Sequence, residues 1–197
     1  MRDESGLEEM GRRITDAVEY AYRTARSDTV TEVVFEHHVE ELSLPMRKVT
    51  VAEAEGAQRG YDELLAKGPV DPYSLDGAWL RRYQGMIDRY AQPGKDPLYS
   101  MALHVIRLGE IAIATNPFEL YLDYGLRMKA RSKAHQTFVV QLCDDRGIYL
   151  PTRKAVAHGH YGTTIYDNRV GPEGGDLLVE RTVELINAMW ADEPDGI

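Results

Sequence analysis

An α/β fold, with a mixed β-sheet and helices packed on it, is what this sequence predicts. Three observations lead there. Segments with helical and strand periodicity interleave along the chain. Their order, α-β-β-α-α-β-β-α-β-β-α-α, combines hairpin steps with crossovers, which suits a mixed sheet better than a regular doubly wound one. The composition, 43% apolar and 28% charged over 197 residues, is that of an ordinary globular chain rather than a disordered one. That length suits a single domain overall, with 1–98 and 99–197 as two segments of it.

Each element has its own signal. Leu7, Met10, Ile14, Ala17, Val18, Ala21 and Ala25 recur at steps of three and four, predicting a helix over about 5–26. Thr29 to Val39 is rich in β-branched residues and predicts a strand. A second strand is expected over Leu42 to Thr50, interrupted by Pro45 as an edge or bulge. Val51 to Ala66 returns to helical spacing and stops at Lys67-Gly68-Pro69. Ser74 or Asp76 caps the next helix, which reaches about Ala91 and gives way to a loop at Gln92 to Pro97. Ser100 to Arg107 alternates as a strand, and Gly109 turns it into the short apolar run Ile111 to Ala114. Pro117 suits a helix's first turn, so a helix is expected from there to about Ala130, with Glu119 near its N-terminus. Thr137 to Leu142 and Gly147 to Leu150 read as strands, Thr152 opens a brief helix, and Gly171 to Trp190 holds the last.

Charge and cysteine content exclude several functions. Lys and Arg number 23 against 32 Asp and Glu, a net charge of −9, so nucleic acid is not an expected partner. The single cysteine, Cys143, cannot form an intramolecular disulfide or a cysteine-based zinc site. No apolar run is long enough to span a bilayer. Met1 to Gly11 is acidic and lacks the apolar stretch of a signal peptide; as written, the expectation is a cytoplasmic chain, or a secreted one if this is a fragment.

Candidate chemistry collects in a few places. Thr115-Asn116-Pro117-Phe118-Glu119 puts polar groups at the carboxyl end of an apolar strand, where α/β sheets favour ligand sites. Glu119 there reads either as a helix-dipole partner or as a carboxylate aimed into a crevice. His158, His160 and Tyr161 form a polar-aromatic loop that reads as a site or as a surface turn. His37 and His38 fall in a predicted strand, so one ring points to each side. Arg153 reads as a helix-start or ion-pair residue, and Arg127, Lys129 and Arg131 as a solvated helix face.

Taken as an ordered set, Ile106 to Ile113, Asn116-Pro117-Phe118-Glu119, Gly125 to Ser132, Thr137 to Val140, Tyr149-Leu150-Pro151-Thr152-Arg153, Gly159-His160-Tyr161 and Gly171 to Gly175 resemble the neutral/alkaline, non-lysosomal ceramidase family. The resemblance covers about 80 residues of the second half, so 99–197 would be the ceramidase-like core segment and the chain a ceramidase-like half-domain. That family uses one zinc ion, held by two histidines, a glutamate and a tyrosine, to hydrolyse the amide of N-acylsphingosine. The resemblance implies Glu119 and Tyr149 as metal ligands. It implies Tyr161, twelve residues beyond Tyr149, as the catalytic residue at the developing oxyanion. The family's two histidine ligands and its catalytic serine lie upstream, in a half not recognisable here.

Three expectations follow. The first is a zinc-dependent amide hydrolase component, completed by a histidine-bearing N-terminal half, with zinc as cofactor only when the site is complete. The second is a binding or structural protein that keeps the fold without the metal. The third is a stand-alone hydrolase with a site rebuilt from Glu119, Tyr149, Tyr161 and His160, the last a weak substrate-binding candidate. A half-domain exposes the surface its neighbour would cover, so the expected partner is a second copy or the complementary half. A lipid amide is the expected substrate class.

Overall fold

The computed structural model describes residues 4–92 and 97–191, so the loop predicted at 92–97 lies largely outside the described residues. The chain divides into two compact units between Val34 and Phe35. The first holds one helix, α1 (Glu4–Ala25), in close agreement with the predicted 5–26. Its charged faces are laced by Arg12 and Arg13 with Glu9, Arg12 with Asp16, and Arg23 with Glu19, all at helical spacing. Its apolar stripe of Leu7, Met10, Ile14 and Val18 is exposed.

In the second unit the two strands expected before residue 50 are one, β1 (Phe35–Pro45). The reason is its partner. β2 (Leu98–Leu108) is equally long and pairs with β1 antiparallel at every position from Phe35 opposite Leu108 to Pro45 opposite Leu98. Pro45 ends the ladder instead of splitting it, and Thr29 to Val34 precede it. β3 (Ile111–Thr115) returns antiparallel beside β2, and β5 (Gln136–Val140) runs parallel to β3. The sheet order is β1-β2-β3-β5. It is mixed, with helices packed on it, as the order of elements predicts.

Along β2 the side chains alternate. Tyr99, Met101, Leu103, Val105 and Arg107 point inward, where α6 (Pro172–Ala188) lays Leu178, Val179, Val183 and Ile186 over the sheet. Burying one such aliphatic side chain contributes about 1.5–3 kcal/mol. Buried Arg107 is held by stacking its guanidinium over Trp190 at 4.2 Å and by donating to the Gly109 and Met189 carbonyls. The opposite face of the sheet is bare among the described residues: Phe35, Val39, Leu108, Phe138 and Val140 remain exposed.

A helical hairpin, α2 (Val51–Ala66) and α3 (Leu75–Tyr90), links β1 to β2. Thr50 and Glu53 form a reciprocal capping box at its start, and Ser74 caps α3. Gly60 lets Tyr83 lie against α2, since a Cβ there would stand 2.5 Å from the ring. Arg47 and Arg89 tie the hairpin's surroundings together. Arg47 donates to the Thr163 carbonyl and Asn168, and Arg89 to the Arg47 carbonyl.

One prediction fails instructively. Pro117 does not open a helix. It is followed by a short strand, β4 (Phe118–Leu120), and the helix, α4, spans only Leu122–Arg131. The Asn116 side chain accepts from the Phe118 N–H, turning the chain away from helix. β4 then pairs parallel with β6 (Ile148–Leu150). Thr152 caps the brief α5 (Arg153–Ala157) as expected.

Candidate active site on the paired short strands

Because Phe118 and Leu120 are buried, Glu119 between them points to the other side of β4. The register sets Tyr149, the centre of β6, directly opposite Glu119. Carboxylate and phenol therefore share one face, and both are half-buried. Glu119, and after it Tyr161, are the neighbours that act on the Tyr149 hydroxyl. Together they hold the Tyr149 proton in place well beyond the usual phenol range, Glu119 contributing most. Tyr161 meets Tyr149 edge to face, with ring centroids 5.5 Å apart. Its own side is open to solvent, at 84% exposure.

Local backbone builds this arrangement. Gly162 adopts φ +74°, and a Cβ there would stand 2.6 Å from the Tyr149 ring, so the residue after Tyr161 has to be glycine. The Tyr121 hydroxyl donates to the Tyr161 carbonyl and ties the loop to the start of α4. Burial raises the Tyr121 phenol. Buried Asn168 donates to the Gly162 and Thr164 carbonyls and closes the 162–168 loop against β6. Tyr149 itself donates its N–H to the Asp167 carbonyl.

The turn before β6 and the first residue of that strand are strained. Leu142, Asp144 and Ile148 all have φ near +60°. Such residues cost about 1–3 kcal/mol each and persist where their surroundings over-determine them. Here Tyr99 donates to Asp145 at 2.7 Å, and His104 contacts Asp144 at 3.1 Å. The Cys143 and Gly147 N–H groups bond the Asn116 and Pro117 carbonyls. Gly147 lies over the Phe118 ring, where a Cβ would be 2.3 Å away. The bond from Tyr99 keeps the Asp145 carboxyl below its ordinary range.

The structure thus brings together three of the four residues singled out, Glu119, Tyr149 and Tyr161. His160 is next to Tyr161 in sequence, but its ring faces His158 at 6.2 Å on the exposed end of α5. Glu119 sits in a strand, so its helix-dipole reading does not apply. Arg153 proves an ion-pair residue, meeting Glu173 and Asp176. Arg127 and Arg131 bridge α4 to Asp176 and Glu180 on α6 rather than forming a purely solvated face. His37 and His38 do point to opposite sides, toward His104 and Glu40. Gly162, Asn168 and Tyr121 escape sequence reasoning, because only the closed loop shows what they support.

As a metal centre the site is incomplete. Glu119 and Tyr149 offer two oxygens, one on a phenol that keeps its proton, whereas zinc favours four-coordinate sites rich in nitrogen or sulfur. Among the described residues no group of three or more His, Cys, Asp or Glu side chains is placed to hold an ion. The pair by itself does not fit zinc.

No family model matches the sequence. No curated protein matches it. Among solved structures, the neutral ceramidase from Pseudomonas aeruginosa superposes with a TM-score of 0.51 at 13% identity, over 83% of this chain. A ceramidase complexed with C2 superposes with a TM-score of 0.47 at 10% identity, also over 83% of this chain. The chain spans only 30% of the first and 31% of the second. Its fold is that of about a third of a neutral ceramidase.

Proposed function

We propose that this chain is one part of a ceramidase-like hydrolase acting on an N-acyl amide, N-acylsphingosine being the reference substrate, completed by a separate part that brings histidine ligands. The observation that carries the reading is the register of β4 and β6, which sets Glu119 against Tyr149 with Tyr161 at its edge. A zinc ion in a completed site would supply Lewis acidity toward the amide carbonyl. This chain's own contribution would be a carboxylate and a phenol as oxygen ligands, and the exposed Tyr161 hydroxyl as a hydrogen-bond donor to the carbonyl oxygen. The fold likeness to about 30% of a neutral ceramidase supports an incomplete unit, and so does the uncovered apolar face of the sheet.

A second reading is a protein that keeps the fold and has no metal chemistry. The placing of Tyr149 opposite Glu119 favours it, because a phenol that keeps its proton beside a carboxylate needs no cation.

Elemental analysis of the purified chain, alone and with a histidine-bearing companion, separates the readings. The expected result is substoichiometric zinc alone, one zinc per complex with the companion, and loss of that zinc in Glu119→Ala and Tyr149→Phe. Stoichiometric zinc in the lone chain, lost in His160→Ala, would instead establish a rebuilt site. No zinc in either preparation would remove the hydrolase reading and leave the second.

A further inference from the structure

The four-stranded sheet ends on β1, an edge strand of 11 residues. An edge strand offers unpaired N–H and C=O groups to any other strand, and proteins blunt such edges with lysine, proline, bulges or shortness. Of these β1 has none over its length, and its charges are glutamates that a facing histidine can meet. It contains no lysine, its proline is the last residue, and its ladder to β2 is unbroken over eleven pairs. Residues 35–39 are all exposed.

Its centre reads His37-His38-Val39-Glu40-Glu41, two imidazoles and two carboxylates about an apolar residue, with Glu36 just before it. That pattern is complementary to itself when reversed. An antiparallel copy related by a two-fold axis at Val39 sets His38 opposite Glu40 of the second copy, and His37 opposite its Glu41. Symmetry repeats both, making four imidazole–carboxylate pairs. The faces agree too. His38 and Glu40 lie on the α6 side of the sheet, where Glu40 already meets Arg181, and His37 and Glu41 lie on the bare side with His104 and Ser100. Directly opposite residues share a face, so each pair meets.

Neighbouring registers fail. Centring on His38 places Glu36 against Glu40, and centring on Glu40 places that carboxylate against its own copy. Like charges directly opposite destabilise a sheet. We propose that β1 is a homodimer interface, in which two copies join antiparallel about Val39 into one eight-stranded sheet. An isologous contact needs this kind of self-complementarity. The dimer also runs the bare apolar faces of the two sheets into one surface. The inference stands apart from the proposed chemistry, since it uses no residue of the Glu119–Tyr149–Tyr161 group.

Sedimentation of the full chain over a wide concentration range is the first test, and a dimer is expected. In a Cys143→Ser background, Val39→Cys should then cross-link to itself under mild oxidation, because directly opposite antiparallel residues fall within disulfide reach. Phe35→Cys, placed opposite Ser43, should not. His37→Glu, checked for folding by circular dichroism, should weaken the dimer about tenfold, equivalent to about 1.4 kcal/mol. His37→Glu combined with Glu41→Lys should restore it. A monomer at every concentration overturns the proposal, as does a dimer that cross-links at 35 in preference to 39. Dimerisation indifferent to both charge variants also overturns it.

Discussion

The Tyr149 phenol is pushed up chiefly by the Glu119 carboxylate set opposite it across a two-stranded ladder. Glu119→Gln removes the charge while keeping an acceptor, so the Tyr149 pKa should fall back toward its ordinary 10.0. An ultraviolet titration of tyrosinate, compared between the two proteins, reads this as one tyrosine ionising earlier. An unchanged curve would mean the carboxylate does not govern the phenol. Deeper in the unit, Tyr124 is almost fully buried and its hydroxyl donates to the Pro151 carbonyl at 2.9 Å. Tyr124→Phe leaves that carbonyl unpaired and should cost about 1–3 kcal/mol in urea unfolding. Gly162→Ala combines a left-handed φ with a clash on Tyr149, and should both destabilise the chain and abolish the Tyr149 pKa shift.

The elements with strong local signals were legible from sequence. α2 spans 51–66 as its apolar spacing predicts, with Thr50 and Glu53 as its capping box. Thr50→Ala should cost about 1 kcal/mol. Faster amide exchange confined to the first turn of α2 would locate that cost, and exchange spread through the unit would argue against a capping origin. The segment after Pro117 was not legible as strand. Pro117 at a helix start and Glu119 in the first turn both read as helix. What decides against it is a partner, β6, about thirty residues away, together with the Asn116 turn. The same holds for β1, whose continuity over residues 35–45 is set by its pairing with β2.

At the scale of the molecule, ion pairs between elements lower two carboxyls. Arg181 holds the Glu40 carboxyl below its ordinary 4.5, and Arg127 holds Asp176 below 3.8. A carboxyl depressed in the folded state contributes stability that is fully present above its unfolded value and is lost as pH falls through the folded one. Melting temperature should therefore hold from about pH 7 to about pH 5 and drop below about pH 4. Arg181→Met should flatten the part of that drop that Glu40 carries. A drop equally steep in the variant would assign it to other carboxylates.

The sequence by itself determined the α/β class, most helices and strands, the resemblance of the second half to ceramidases, and Glu119, Tyr149 and Tyr161 as a group worth testing. These are legible because helical and strand periodicities, caps and spaced motifs act over a few residues. The tertiary structure decided the rest: one long β1, the β4–β6 ladder that sets Glu119 opposite Tyr149, the loop closed by Asn168 and Gly162, and the bare face and open edge of the sheet. Each of these depends on contacts between residues far apart in sequence. The free energy of pairing and burial there exceeds the local preference that a single segment displays.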